Sequence, residues 1–392
     1  MRRADWDTVV IGAGIHGAGC AQALAAAGHR VLVLEQTAVA AGTSSRSSKL
    51  IHGGLRYLET GQFALVRECL AERERLLRLA PRLVRLTPHF IPVYPGMRRP
   101  AWKIRLGLVL YALLGGLGPH VRHHRLRLRD WPNPDGLRRE GLRALFRYQD
   151  GQTDDAALTR AVMASAESLG ARLAMPARFE GARWEEGRWR LCWQQDGAVQ
   201  SATARTLVNA AGPWVNAVLA RIEPRPPRAA VELVAGTHLV FDRPLRAGVY
   251  YVEAPDDGRA VFLMPWQDER TLVGTTERPW DGEPGAVAPS AAEVDYLRRT
   301  AAHYMPAFAA LEPADAFAGL RVLPAADGDP FRRARETLFQ QDQEGHLVSI
   351  LGGKLTAYRV TAARVAGLLV PRLPRRARRA DTATLRLGLG EA

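Results

Sequence analysis

The chain has 392 residues, 47% of them hydrophobic, with 54 Lys and Arg against 40 Asp and Glu and a formal net charge of +14. That length supports two or three domains with sizeable cores, and the arginine excess comes with no recognised nucleic-acid module, which excludes DNA or RNA as the expected partner. The three scattered cysteines, Cys20, Cys69 and Cys192, form no metal or disulfide spacing and are expected as reduced thiols in a cytoplasmic protein.

Asp7-Thr-Val-Val-Ile11 is a short β-branched run that reads as a buried strand, and the N-terminus enters it with no room for a signal peptide. The turn Gly12-Ala-Gly-Ile-His-Gly17 follows, then an Ala-rich helical stretch closed by Gly28, then the apolar strand Val31–Leu34, which delivers Glu35. Gly12 permits the tight turn, Gly14 lets backbone approach a pyrophosphate, and Gly17 lets the helix pack on the strand. The helix N-terminus attracts the anion, and Glu35 is placed to accept hydrogen bonds from a ribose. NAD and FAD both use such a βαβ unit.

The next run separates the two. Thr43, Ser44 and Ser45, then Ser47, Ser48 and Lys49, crowd hydroxyls and a cation beside the pyrophosphate position, which suits the ribityl-diphosphate half of FAD. Leu50-Ile-His-Gly-Gly-Leu-Arg-Tyr-Leu58 then turns apolar around a Gly pair, as though backbone must pass close to something flat.

Two arginine-rich stretches follow at a distance, 98–147 and the tail 372–379. Both are candidates for an anionic membrane surface or for plain solvation. The apolar segment 106–117 is too short to span a bilayer, which takes about 20 residues, and suits either an interface or a buried helix. A helix is expected over 156–169, strands near 172–182 and 189–194, and a parallel-type strand at Leu207-Val-Asn-Ala-Ala-Gly212. Short strands at 238–241, 248–253, 260–265 and 271–275, separated by Asp, Gly and Pro turns, predict an antiparallel sheet. Leu347–Leu351 is a further strand, followed by Gly352-Gly353 and a helix from Thr356; the tail 371–392 is expected to be disordered.

Taken with Gly236-Thr-His238, Gly274-Thr-Thr276 and Gly352-Gly-Lys-Leu-Thr-Ala-Tyr-Arg359 in that order, the sequence resembles the FAD-dependent, quinone-linked glycerol-3-phosphate dehydrogenases of the glycine-oxidase-like flavoprotein group. It departs from that pattern at Glu277, where aspartate is usual, at Ala357, at Val322, and in stopping before a further helical domain. The resemblance implies an α/β fold in which a Rossmann-type FAD-binding domain (1–80, 150–215, 315–370) carries an inserted, mainly antiparallel β substrate domain (81–149, 216–314).

Its implied cofactor contacts are Gly12, Gly14, Gly17, Glu35, Thr43, Ser44, Ser45, Ser48, Lys49, Ile51, Gly53, Gly212, Trp214, Gly353, Lys354, Leu355 and Thr356. Arg56, Arg321 and Lys354 are implied for the phosphate, Tyr57 and Thr276 for substrate hydroxyls, and His238 and His52 for the hydroxyl proton. The implied activity is oxidation of sn-glycerol 3-phosphate to dihydroxyacetone phosphate with electrons passed to a quinone. A homodimer and a cytoplasm-facing position on the inner membrane come with it. Two other readings stay open, a flavin enzyme acting on an amino or 2-hydroxy acid and a non-catalytic flavin-binding partner. The motifs do not decide between quinone and oxygen as acceptor.

Overall fold

The computed structural model describes residues 4–267, 269–325 and 337–388. Asp7 to Ile11 and all of Val31–Leu34 are buried, so both runs can sit only in the middle of a sheet covered on two faces. They do so. Arg172–Ala174, Val31–Leu34, Trp6–Ile11, the C-terminal half of Ala198–Asn209 and Leu347–Leu351 lie parallel in that order.

One face of this sheet is covered by the helix Ile15–Ala26, which packs against the helices Asp155–Ser168 and Tyr358–Leu369. Val10, Leu24, Val33, Val162, Val208 and Val365 meet there. On the other face, the N-terminal half of Ala198–Asn209 turns away to pair antiparallel with Arg188–Gln195, which pairs with Arg178–Glu185. Trp189, Trp193 and Phe179 cover Val9, Ile11 and Leu34 from that side.

The second sheet is mainly antiparallel, ordered Arg278–Trp280, Val231–Phe241, Arg270–Gly274, Ala260–Trp266, Val249–Glu253, Val84–Val93, Ala144–Thr153 and Leu50–Ile51. Among the described residues its one parallel pairing joins Val249–Glu253 to Val84–Val93. The helix Ala291–Tyr304 packs on one side, opened by a capping box in which Ser290 and Glu293 satisfy each other's backbone. The helices Phe63–Leu79 and Ala101–Leu114 pack on the strands from elsewhere through Leu70, Ile104, Leu108 and Tyr111. No helix among the described residues is long and apolar enough to cross a membrane.

Two expectations need correction. Asp315–Pro324, assigned by sequence to the nucleotide-binding part, belongs to the second sheet. It pairs with Val231–Phe241 in unbroken register from Val231 opposite Pro324 to Val240 opposite Asp315. The chain rejoins the first sheet at Leu338–Gln341; residues 326–336, part of the same expected segment, lie outside the described residues. The tail is also not loose over 371–388. Leu373 and Leu387 are buried in the first sheet's core, Arg376 pairs with the buried Asp7 at 3.0 Å, and Arg379 N–H donates to Ala26 O at 2.7 Å. Its arginines serve as counter-ions and helix-end donors, a use that charge composition alone does not distinguish from solvation. Residues 389–392 lie outside the described residues.

The serine-rich run joins the two sheets, and a buried ion pair pins it. Lys49 Nζ lies 2.6 Å from Asp155 Oδ1, with the two side chains 5% and 0% exposed. Asp155 also accepts from Ser47 N–H at 3.0 Å and Ser47 Oγ at 2.6 Å. Losing the cation would leave a carboxylate with no full charge opposite it, so Lys49→Met is expected to destabilise the protein by about 3–5 kcal/mol. Urea unfolding at constant m-value would measure this, and an unshifted midpoint would show the pair to be energetically neutral.

Candidate functional site

The ends of both sheets face a single cleft of about 730 Å³. At one end, Gly12 has φ +101°, and a Cβ there would stand 2.8 Å from Ala210 O; a Cβ on Gly17 would stand 1.9 Å from Gly12 O. Only glycine allows this contact of turn, strand and helix. Glu35 closes the turn by accepting from Ala13 N–H at 2.8 Å and Thr37 N–H at 2.9 Å. Ser44 Oγ accepts from Ile15 N–H at 2.9 Å, where the helix Ile15–Ala26 begins without a side-chain cap from its own N-cap residue.

The middle of the cleft holds histidines. His238, 2% exposed, stacks on Phe317 with ring centroids 5.2 Å apart and shares a 3.1 Å hydrogen bond between Nε2 and Ser48 Oγ. Burial, helped by Arg321 and Lys49, pushes its pKa down to about 3. Burial likewise lowers His16 to about 4, and lowers His52 to about 4 against the opposing pull of Asp150. His52 and Gly53 are fixed by backbone donation, to Thr356 Oγ1 at 3.1 Å and to Tyr111 OH at 2.8 Å. Tyr111 in turn donates to Asp150 at 2.6 Å, which Arg73 holds at 2.9 Å.

The far end is cationic. Arg56, Arg259, Arg321 and Lys354 line it with Tyr57, Tyr251 and Glu277. Lys354 Nζ stands 3.4 Å above the Tyr57 ring, a cation–π contact. Glu277 Oε1 lies 3.1 Å from Arg321 Nη1 and 3.7 Å from Arg56 Nη2.

Most of the residues singled out in the sequence line this cleft: Gly12, Gly14, Glu35, Thr43, Ser44, Ser48, His52, Arg56, Tyr57, Gly212, Trp214, His238, Arg321, Gly353, Lys354, Leu355 and Thr356. Others do not line it. Gly17 lies behind the turn as packing, Ser45 Oγ returns to Gly42 O, and the Lys49 ammonium is taken by Asp155. Ile51 belongs to the core under the first sheet, and Gly53 packs on Leu70 and Tyr111. Thr276 is buried, accepting from Thr237 N–H at 2.8 Å and donating to Glu293 at 2.6 Å; Thr275 reaches the cleft instead. Thr275 and Thr276 follow the end of the strand Arg270–Gly274, and the hydrogen bonds to Thr237 and Glu293 hold Thr276 away from the cleft.

His16, Arg46, Arg259 and Glu277 line the cleft without having been assigned a role. His16 lies inside the glycine turn itself. Arg259 precedes the strand Ala260–Trp266 in the Asp-Gly turn that the sequence shows between two expected strands, a turn whose pattern does not say which side chain reaches the cleft.

The chain matches the family described as FAD dependent oxidoreductase over residues 7–359. The glycerol-3-phosphate dehydrogenase of Pseudomonas aeruginosa is 39% identical over 370 residues, covering 91% of this chain and 70% of that protein. The D-erythritol 1-phosphate dehydrogenase of Brucella abortus is 35% identical over 364 residues, covering 91% and 72%. The Bacillus halodurans glycerol-3-phosphate dehydrogenase, solved with FAD, superposes with a TM-score of 0.73 at 26% identity, over 97% of this chain and 67% of that one.

The cleft fits that cofactor. Its volume lies within the range of roughly 300–1,000 Å³ usual for ligand sites. The glycine turn leaves room for a pyrophosphate, and Gly353, at φ +109°, keeps backbone where a side chain would strike His16 Nε2. His16 Nδ1 and His238 Nδ1 are buried without a hydrogen-bond partner among the described residues.

Because His238 stays neutral in the fold, its contribution to stability is fully present above the ordinary imidazole pKa of 6.5 and is lost progressively as pH falls toward about 3. The thermal midpoint is expected to drop across that window, and His238→Asn to flatten the drop; an equal slope in the variant would place the loss elsewhere.

Proposed function

The chain belongs to the FAD-dependent oxidoreductases, and on that footing we propose that it oxidises sn-glycerol 3-phosphate to dihydroxyacetone phosphate and passes the electrons to a quinone. The observation that carries this reading is the far end of the cleft, where Arg56, Arg259, Arg321 and Lys354 gather and, among the described residues, Glu277 is the carboxylate beside them. A phosphate dianion leaves water only where charge-assisted hydrogen bonds replace its hydration, and forked guanidiniums suit it best. A single carboxylate substrate, as in an amino or hydroxy acid, calls for one such fork, and so matches this end less well. The names of the glycerol-3-phosphate dehydrogenases among its relatives support the same substrate class.

FAD, when bound, supplies a two-electron acceptor for the hydride leaving the substrate carbon. Gly12, Gly14, Thr43 and Ser44 would hold its pyrophosphate, Glu35 its ribose, and Gly353, Leu355 and Thr356 the ring end. Arg56, Arg321, Lys354 and Arg259 would bind the phosphate and fix the carbinol carbon in place; Tyr57 and Thr275 would orient the hydroxyls. The hydroxyl proton needs an acceptor that is unprotonated near neutrality. His52 meets that condition beside Arg56, Tyr57 and Lys354, whereas His238 Nε2 is already engaged with Ser48.

Anaerobic addition of sn-glycerol 3-phosphate is expected to bleach the flavin, and phosphate-free glycerol is not. Arg321→Ala should lower kcat/KM about a hundredfold or more with FAD still bound. An unbleached flavin would overturn the substrate assignment, and normal efficiency in the variant would remove Arg321 from the site.

An anionic membrane surface is the proposed partner for electron delivery. On the helix Ala101–Leu114, Trp102, Leu106, Val109 and Leu113 are all exposed at spacings that share one face, and Leu117 extends it. Exposed Lys103, Arg105, Arg122, Arg125, Arg127 and Arg129 accompany them, the pairing of apolar face and cations that lies in a headgroup layer. Vesicles containing phosphatidylglycerol are expected to bind the protein. The Leu106→Asp/Leu113→Asp variant should lose that binding yet keep turnover with a soluble acceptor; equal binding would remove this face from the interaction.

A further inference from the structure

The cation cluster contains an anion of its own. Among the described residues Glu35 and Glu277 are the two carboxylates lining the cleft, and Glu35 is committed at the glycine-turn end. Glu277 stands between Arg321 and Arg56, with its side chain 10% exposed. Its backbone carbonyl accepts from Arg259 Nη1 at 3.1 Å, so three of the four cations converge on this one residue. It sits in the link between the strands Arg270–Gly274 and Arg278–Trp280, both tied to Val231–Phe241. The carboxylate is therefore held by the sheet rather than by a free loop.

Resting on the reading of this end as a phosphate-ester site, we propose that Glu277 is a specificity-determining residue: an internal counter-anion that admits dianions and rejects monoanions. Any anion approaching the forks of Arg56 and Arg321 must share them with the carboxylate or displace it. A monoanion that displaces Glu277 replaces one charge by one charge, and a monoanion that shares the forks loses part of their attraction to repulsion from the carboxylate beside it. A phosphate ester brings close to two charges and three terminal oxygens, so it keeps a net gain after the carboxylate has been displaced. Specificity thus comes from a built-in repulsive element as well as from the attractive cations. Before substrate arrives, the same carboxylate screens Arg56 from Arg321.

The test is calorimetric titration of the FAD-loaded protein with inorganic phosphate and, separately, with glycerate, well above the second phosphate ionisation. The wild-type protein is expected to bind phosphate at least about a hundredfold more tightly than glycerate. Glu277→Gln should tighten glycerate by about tenfold or more and phosphate by less, collapsing the preference; Glu277→Asp, which keeps the charge, should retain it. In turnover, Glu277→Gln should become sensitive to competition by glycerate. An unchanged preference in Glu277→Gln, with FAD content and unfolding midpoint intact, overturns the role of Glu277 and leaves the phosphate reading standing. Wild-type protein that binds neither phosphate nor sn-glycerol 3-phosphate overturns both. Should the Gln variant not fold, chloride decides with the wild-type protein: weak competition with phosphate is expected, and strong competition by this monoanion overturns the filter.

Discussion

The site depends first on one buried carboxylate. Asp155, fully enclosed at the head of the helix Asp155–Ser168, takes Ser47 N–H, Ser47 Oγ, Lys49 Nζ and Ala156 N–H. The three from Ser47 and Lys49 bind the serine-rich run to this helix, which packs on the helix Ile15–Ala26 over the parallel sheet, just before the run crosses to the antiparallel one. The same run carries Ser44 to the helix start and, a few residues on, Arg56 and Tyr57 to the cation end. A single ionic anchor therefore sets the distance between the nucleotide turn and the substrate cations. An unpaired carboxylate there would cost several kcal/mol, and that cost makes the loop's path hard to alter.

The rest follows from bringing positive charge together in a confined space. At an effective dielectric near 20, two charges a few ångströms apart interact by about 4 kcal/mol. Arg56, Arg259, Arg321 and Lys354 would repel one another by sums of that order if nothing intervened. The structure uses three devices. Glu277 stands between two guanidiniums, the Tyr57 ring lies under the Lys354 ammonium, and the nearby histidines stay uncharged through burial. Lowered histidine pKa values thus belong to the same electrostatic problem as the arginines.

Much of this was legible in the sequence because its causes are local. A β-branched run, a glycine turn and a helix of small residues leave few alternatives to a βαβ unit, and the hydroxyl-rich run beside it narrows the cofactor. Arg56, Arg321 and Lys354 were found through motifs whose glycines force backbone toward the cleft. What was missed is set by distant partners. Thr275 and Thr276 are neighbours just past a strand end, and the partners that turn Thr276 inward, Thr237 and Glu293, are distant in sequence. Lys49 resembles an anion-binding cation until Asp155, 106 residues later, takes it. High charge makes the tail read as disordered, yet Asp7, Ala26 and Leu79, all in the first 80 residues, are among its anchors.

Arginine excess, then, is not one property in this chain but at least three. In the tail it neutralises a buried Asp7 and ties down carbonyls; around Ala101–Leu114 it stays exposed beside apolar side chains; in the cleft it is gathered around Glu277. Net charge reports only the sum. What separates the three uses is whether an acid lies opposite, an apolar face lies adjacent, or an enclosed volume lies in front. Only the last arrangement leaves positive potential directed at a small molecule. That is why Glu277 carries more information about substrate than any one of the arginines it faces: the cations say that an anion binds, and the carboxylate among them sets how much charge that anion must bring.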